Sequence, residues 1–175
     1  MALLIRRLRT RLGITPERLQ VICTSASFKD AGDGIAVLGE THGHLGGSEW
    51  LRAFHNQIAG RPPKLDAKAE LALQAFLRES VRAGLVKSAH DCSDGGLAVA
   101  LAESCISQLI ARETPRLIGA EVDLGAIKEV RLDALLFGET QARVVISVAP
   151  LNAGKVLAQA KILGVPAVVI GKVGG

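Results

Sequence analysis

Aromatic side chains are almost missing from this sequence: there is no tyrosine, one tryptophan and four phenylalanines among 175 residues. A single-strand nucleic-acid binder that stacks bases on aromatic platforms is therefore not expected. Cysteine is equally sparse. Cys23, Cys92 and Cys105 are odd in number and none stands in a CxxC pair, which excludes a zinc-ribbon or disulfide framework. No run reaches the roughly 18 apolar residues of a membrane span, and the apolar part of the opening MALLIRRLRTRLG is too short for a signal peptide. Both commonest nucleotide-binding loops, GxxxxGK[ST] and GxGxxG, are absent.

The excess of positive charge is local. Arg6, Arg7, Arg9, Arg11 and Arg18 against Glu17 account for the whole net charge of +4, so residues 19–175 are neutral in sum. A nucleic-acid binder spreads its basic residues over a folded face, and neither nucleic acid nor membrane is expected as a partner. Residues 1–19 read as a basic leader or a piece of a preceding linker. Residues 20–175 read as one domain, truncated at its last strand, and a missing strand partner would favour self-association into a homo-oligomer. Free thiols suit a reducing cytosol, so the expected location is cytoplasmic.

What is abundant is Ala, Val, Leu and Ile, the material of packed helix and sheet layers. Residues 34–39 (GIAVLG) predict a buried strand. Ser48 predicts an N-cap for a helix over 49–58, and Gly60-Arg61-Pro62-Pro63 breaks the chain into a loop. Asp66 caps the clearest helix, where Ala69, Leu73, Phe76, Leu77 and Val81 recur at helical spacing and Gly84 closes it. A short extended segment follows over 85–90, and a helix apolar nearly all round, hence buried, over 97–110. Further expected elements are a strand over 117–124, a short helix over 131–137 and a strand over 143–148. A helix capped by Asn152 then runs to about Leu163, before a last strand over 167–170. Strands alternate with helices without a strict βαβ repeat, so the fold class is α/β in the broad, α+β sense, with a mixed sheet flanked by helices.

Two segments could carry chemistry. In His90-Asp91-Cys92-Ser93-Asp94-Gly95-Gly96, a strand ends in two carboxylates and a hydroxyl, and two glycines open a helix. Free amides at such a helix start attract an anion, and the carboxylates could instead hold a metal-phosphate or a ribose hydroxyl. The bland reading is that Ser93 or Asp94 caps the helix while Gly95 and Gly96 permit close packing. The second segment, GETHGHLGGSEW (residues 39–50), offers Glu40, His42, His44 and Glu49, but a glycine-rich loop fixes no ligand geometry. Gly46, Gly47 and Ser48 fit a phosphate-approach loop or an interdomain contact. Cys92 beside Ser93 suggests a nucleophile for which no relay can be placed.

The strings FKDAGDGIAVLGETHGHLGGSEWL (28–51), GRPPKLD (60–66), GLVKSAHDCSDGGLAVALAE (84–103), IGAEVDL (118–124) and LLFGETQARVVISVAP (135–150) stand in this order in the chain. In that order they resemble the last domain of phosphoribosylformylglycinamidine synthase, over about residues 20–175. Aminoimidazole ribonucleotide synthetase, selenophosphate synthetase, thiamine-monophosphate kinase and a hydrogenase-maturation protein share the fold. The segments at Gly47 and at Gly138–Gln141 favour the purine enzyme.

The resemblance implies a fold like the C-terminal domain of aminoimidazole ribonucleotide synthetase. It also implies part of an ATP-dependent ligase that converts formylglycinamide ribonucleotide and glutamine-derived ammonia to the amidine. ATP and magnesium would serve the whole enzyme, none of them assigned to this fragment. The implied partners are the remaining synthetase domains, a glutamine amidotransferase and a small accessory subunit. In the symmetry-related first copy of this domain a Glu-Ser-Gln run contacts substrate. Glu139, Thr140 and Gln141 occupy its place here, with Thr for Ser, in the copy that faces an auxiliary nucleotide site. The ligand-binding candidates are thus Asp91, Ser93, Asp94, Gly95, Gly96, Gly46, Gly47, Ser48, Glu139 and Gln141, with no catalytic residue and no metal ligand among them. The alternative is a stand-alone, non-catalytic module that binds a phosphorylated ligand or serves as a scaffold.

Overall fold

Successive side chains of a strand point to opposite faces, so a run that is apolar without alternation needs cover on both sides. Gly34–Leu38 (β1) is such a run. Ile35 and Val37 enter one apolar cluster with Phe28, Leu97, Ala100, Val145 and Ile170. Ala36 and Leu38 enter another with Leu73, Phe76, Val86, Ile146 and Val156. The computed structural model describes residues 24–107, 116–127 and 130–175; the basic segment 1–19 lies outside them.

The elements follow as α1 (Glu49–His55), α2 (Ala67–Arg82), β2 (Val86–Asp91), α3 (Gly96–Cys105), β3 (Ile106–Ser107), β4 (Arg116–Leu117), β5 (Ala120–Val122), α4 (Leu132–Phe137), β6 (Val144–Val148), α5 (Pro150–Ile162) and β7 (Ala167–Val173). Five strands form the main sheet in the order β2-β6-β1-β7-β5. Every strand pair in it is antiparallel, and the parallel component is the isolated bridge Ser25–Ser88 on the outer side of β2. Helices α2 and α5 supply one layer of the core and α3 the other. The α+β class holds. No helix among the described residues is long and apolar enough to cross a membrane.

The caps explain most element boundaries. The Asp66 carboxylate accepts from the amides of Lys68 and Ala69 at 2.9 and 3.1 Å, and Gly84 leaves α2 with φ +67°. Helix α1 stops three residues short of the expected end because Asn56 turns left-handed at φ 49°. Asn152 is not a cap: Ala149 stands there, and Pro150 takes the first helical turn, where its missing N–H costs nothing. Helix α3 ends at Cys105, and Ile106–Ser107 turns into a two-stranded ribbon with Arg116–Leu117. The single strand expected over 117–124 is thereby divided. Its first residue belongs to the ribbon, and Ala120–Val122 forms the edge of the main sheet against β7.

Candidate functional site

Three loops meet where β1 and β2 end and β6 begins: Gly39–Ser48, Cys92–Gly95 and Gly138–Arg143. Glycine lets them meet. A Cβ on Gly96 would lie 2.6 Å from the Gly138 carbonyl oxygen, and one on Gly138 would lie 2.9 Å from the Cα of Gly43. Gly138 is thus held between the other two loops. The Glu139 amide donates to the His44 carbonyl at 2.8 Å.

The Glu139 carboxylate completes the junction. One oxygen, Oε1, accepts from the amide of Glu49 at 2.8 Å and from the amide of Gly95 at 2.9 Å. The Gly95 amide was a candidate for an external anion; in the structure an internal carboxylate holds it. The Gly96 amide closes the turn onto the Ser93 carbonyl at 3.0 Å. Gly95 and Gly96 adopt φ +80° and +69° and are buried, so both serve the close packing that α3 needs.

The remaining candidates separate into two groups. Asp91, Ser93 and Gln141 are exposed and line one cleft of about 150 Å³, where β2 ends and β6 begins. Asp94 is exposed on the same turn. Gly46, Gly47 and Ser48 line neither this cleft nor the neighbouring one. The Ser48 hydroxyl is buried, donates to the Leu45 carbonyl at 2.6 Å and accepts from the Leu51 amide, as a helix cap. Gly46 packs against the backbone of Arg61. A second cleft of about 210 Å³ is lined by Glu40, His42, His44, Lys64 and Asp66, and it shares the wall Thr140–Ala142 with the first.

Polar groups around the loops are largely engaged. His90 is held by Glu103 at 2.9 Å and by the Asp91 carbonyl at 2.8 Å. Thr140 Oγ1 accepts from the His42 amide at 3.4 Å and lies 3.3 Å from His44 Nδ1. His42 pairs with Glu40 at 2.9 Å. Among the described residues no three His, Cys, Asp or Glu side chains converge to hold a metal ion. Burial pushes the Cys92 thiol up, and the nearby Arg143 guanidinium, which pulls it down, does not outweigh that. A thiol kept protonated and buried is a poor nucleophile, so the Cys92 suggestion finds no footing. Sequence reasoning missed Arg143 itself. It is 3% exposed, and none of its three guanidinium nitrogens has a well-formed hydrogen bond among the described residues. The available signal was its place, a charged residue directly before the buried run Val144–Val148.

Residues 30–175 match the family described as AIR synthase related protein, C-terminal domain. The chain is 46% identical over 161 residues to phosphoribosylformylglycinamidine synthase subunit PurL of Anaeromyxobacter sp. (strain K), covering 91% of this chain and 21% of the relative. It is 47% identical over 148 residues to the same subunit of Moorella thermoacetica, covering 85% and 19%. Among solved structures, PurL of T. maritima complexed with FGAR superimposes with a TM-score of 0.66 at 23% identity, over 87% of this chain and 26% of that one. HypE, a hydrogenase maturation protein of E. coli, gives 0.57 at 22% identity, over 86% and 46%. The chain spans about a fifth of the length of the curated relatives it matches. By sequence match and by fold, it belongs to the AIR synthase related protein family, as a C-terminal domain of that type.

Proposed function

We propose that this chain acts as the C-terminal domain of a phosphoribosylformylglycinamidine synthase, the ATP-dependent ligase that makes an amidine from formylglycinamide ribonucleotide and glutamine-derived ammonia. The observation that carries the reading is the 46% identity to the PurL subunit, sustained over 91% of the chain. The T. maritima PurL relatives are described as complexed with ATP and with FGAR, and one as part of a PurLQS structure. Those ligands and partners come to this chain as part of the proposal, as does a cytosolic place, which the free thiols Cys92 and Cys105 suit.

In this reading the domain supplies a rigid junction. Glu139, Gly95 and Gly96 set the loops, and Asp91, Ser93, Asp94 and Gln141 present polar atoms to a ligand or to the adjoining domains. Gly46, Gly47 and Ser48 fix the approach of the neighbouring loop. Magnesium would accompany ATP in the assembled enzyme. Orientation of ATP and substrate against each other falls to the other domains.

The test is reconstitution with the separately expressed remainder of a PurL synthetase, following phosphate release that depends on ATP, ammonia and substrate. Recovered activity supports the reading. Its loss in folded Asp91→Ala and Asp94→Ala variants gives those carboxylates a functional role, and its survival reduces them to packing. A folded domain that neither restores activity nor binds the remainder points to the stand-alone module.

A further inference from the structure

We propose that Arg143 is the receptor for a phosphate-type oxyanion bound in the cleft between the Asp91–Ser93 turn and the Thr140–Arg143 loop. The proposal rests on the reading of these two loops as a ligand site, but not on the synthetase assignment.

A guanidinium stays charged at any pH a protein survives. Taking such a charge out of water is costly unless it is paired and hydrogen-bonded. Arg143 is 3% exposed; its guanidinium leans on the Cys92 thiol, a weak and neutral acceptor, and its Nε, Nη1 and Nη2 have no well-formed hydrogen bond among the described residues. Its neighbour, the Cys92 thiol, is held protonated by burial and supplies no counter-charge. The Glu139 carboxylate, the nearest in sequence, is engaged by the amides of Glu49 and Gly95. Asp91 comes within 3.7 Å of His90 and, although it lines the same cleft, makes no hydrogen bond to Arg143. The fold therefore buries a forked cation without its anion.

Arg143 lines the cleft of about 150 Å³ with its nitrogens covered from solvent, so the fork meets a ligand only once the neighbouring side chains give way; Ser93 and Gln141 add a hydroxyl and an amide donor in the same wall. That volume suits a phosphate carrying a few further atoms. Glu70 and Asp91 also line the cleft. Their carboxylates accept from hydroxyls and repel anionic charge beyond what Arg143 offsets, which favours a hydroxylated phosphate monoester over a polyphosphate. The planar fork of Arg matches two phosphate oxygens at once.

The experiment is thermal unfolding of the 175-residue chain in inorganic phosphate, glycerol phosphate or pyrophosphate, against chloride at matched ionic strength. The parent chain should show a saturable rise in Tm of about 5 °C or more with phosphate and glycerol phosphate, from preferential binding to the folded state. Pyrophosphate should give less. Arg143→Met should lose the saturable response while unfolding no lower in chloride, because a buried unpaired charge has been removed. Should that variant fail to fold, Arg143→Lys serves, with the half-saturating phosphate concentration raised about tenfold by loss of the fork. A saturable response equal in the parent and in Arg143→Met overturns the proposal. If it is then lost in Ser93→Ala/Gln141→Ala, the loops remain a ligand site without Arg143. A non-saturating rise shared by all variants is a general salting effect and overturns both.

Discussion

The backbone amide of Gly95 lies 2.9 Å from Oε1 of Glu139, a residue 44 positions further along the chain. The same oxygen takes the amide of Glu49, so one carboxylate ties the start of α1 to the turn before α3. A charge-assisted hydrogen bond is worth about 1.5–3 kcal/mol net, less where water competes. Glu139→Ala should therefore lower stability by about 2 kcal/mol in urea unfolding. Glu139→Gln, which keeps an acceptor oxygen, should lose about half as much. An alanine variant as stable as the parent would show that the tie contributes nothing.

Gly96 and Gly84 have nearly the same backbone, φ +69° and +67°, in different surroundings. A Cβ at Gly84 meets nothing within 4 Å, whereas one at Gly96 meets the backbone of Leu136, Phe137 and Gly138. Left-handed strain of about 1–2 kcal/mol is common to both alanine variants. The clash adds about 1–3 kcal/mol only at Gly96. Gly96→Ala should thus be the less stable by about 2 kcal/mol, and equal midpoints would refute the close contact.

Trp50 is the only tryptophan and stacks on Phe137, with ring centroids 4.3 Å apart and planes 12° apart. Helix α1 buries none of its residues, so this stack, the Phe54–Phe137 contact and the Glu139 tie are the described contacts that help to hold it. Phe137→Leu should shift Trp50 emission to the red. It should also speed hydrogen exchange at Leu51–His55 well before global unfolding. Unchanged emission would mean that α1 is held by something else.

Lys87 reaches the buried Asp33 at 2.7 Å and Asp30 at 2.9 Å. Burial alone would lower its pKa, but the hydrogen bonds and charges of the two carboxylates prevail and raise it above 10.5. A lysine whose folded pKa is raised gives its full contribution below the unfolded value and loses it as pH rises through the folded one. Lys87→Met should cost about 3 kcal/mol at neutral pH by leaving Asp33 unpaired. The gap between variant and parent should persist from neutral pH up to about 10.5 and narrow above it. A gap that closes on acidification from neutral pH to about pH 6 would contradict the assignment.

Helix α2 was legible because its determinants are local: a capping Asp66, apolar positions three and four apart, and Gly84 at the end. Strand β1 was legible because a strand covered on both faces is apolar at every position. The division of 117–124 was not, since a period of two does not say which sheet a strand joins. The site was half legible. Asp91, Ser93 and Gln141 do share a cleft, whereas Gly95 had its anion supplied by a residue far away in sequence. The burial of Arg143 had one local hint, its place directly before the apolar run Val144–Val148, but that it lacks a partner is a tertiary fact.

Thr140, Gln141 and Ala142 line both clefts. Their segment is anchored at one end by Gly138, clasped between Gly43 and Gly96, and at the other by β6. Residues shared in this way make the two clefts neighbours in shape: a substitution at Gln141 alters the lining of both at once.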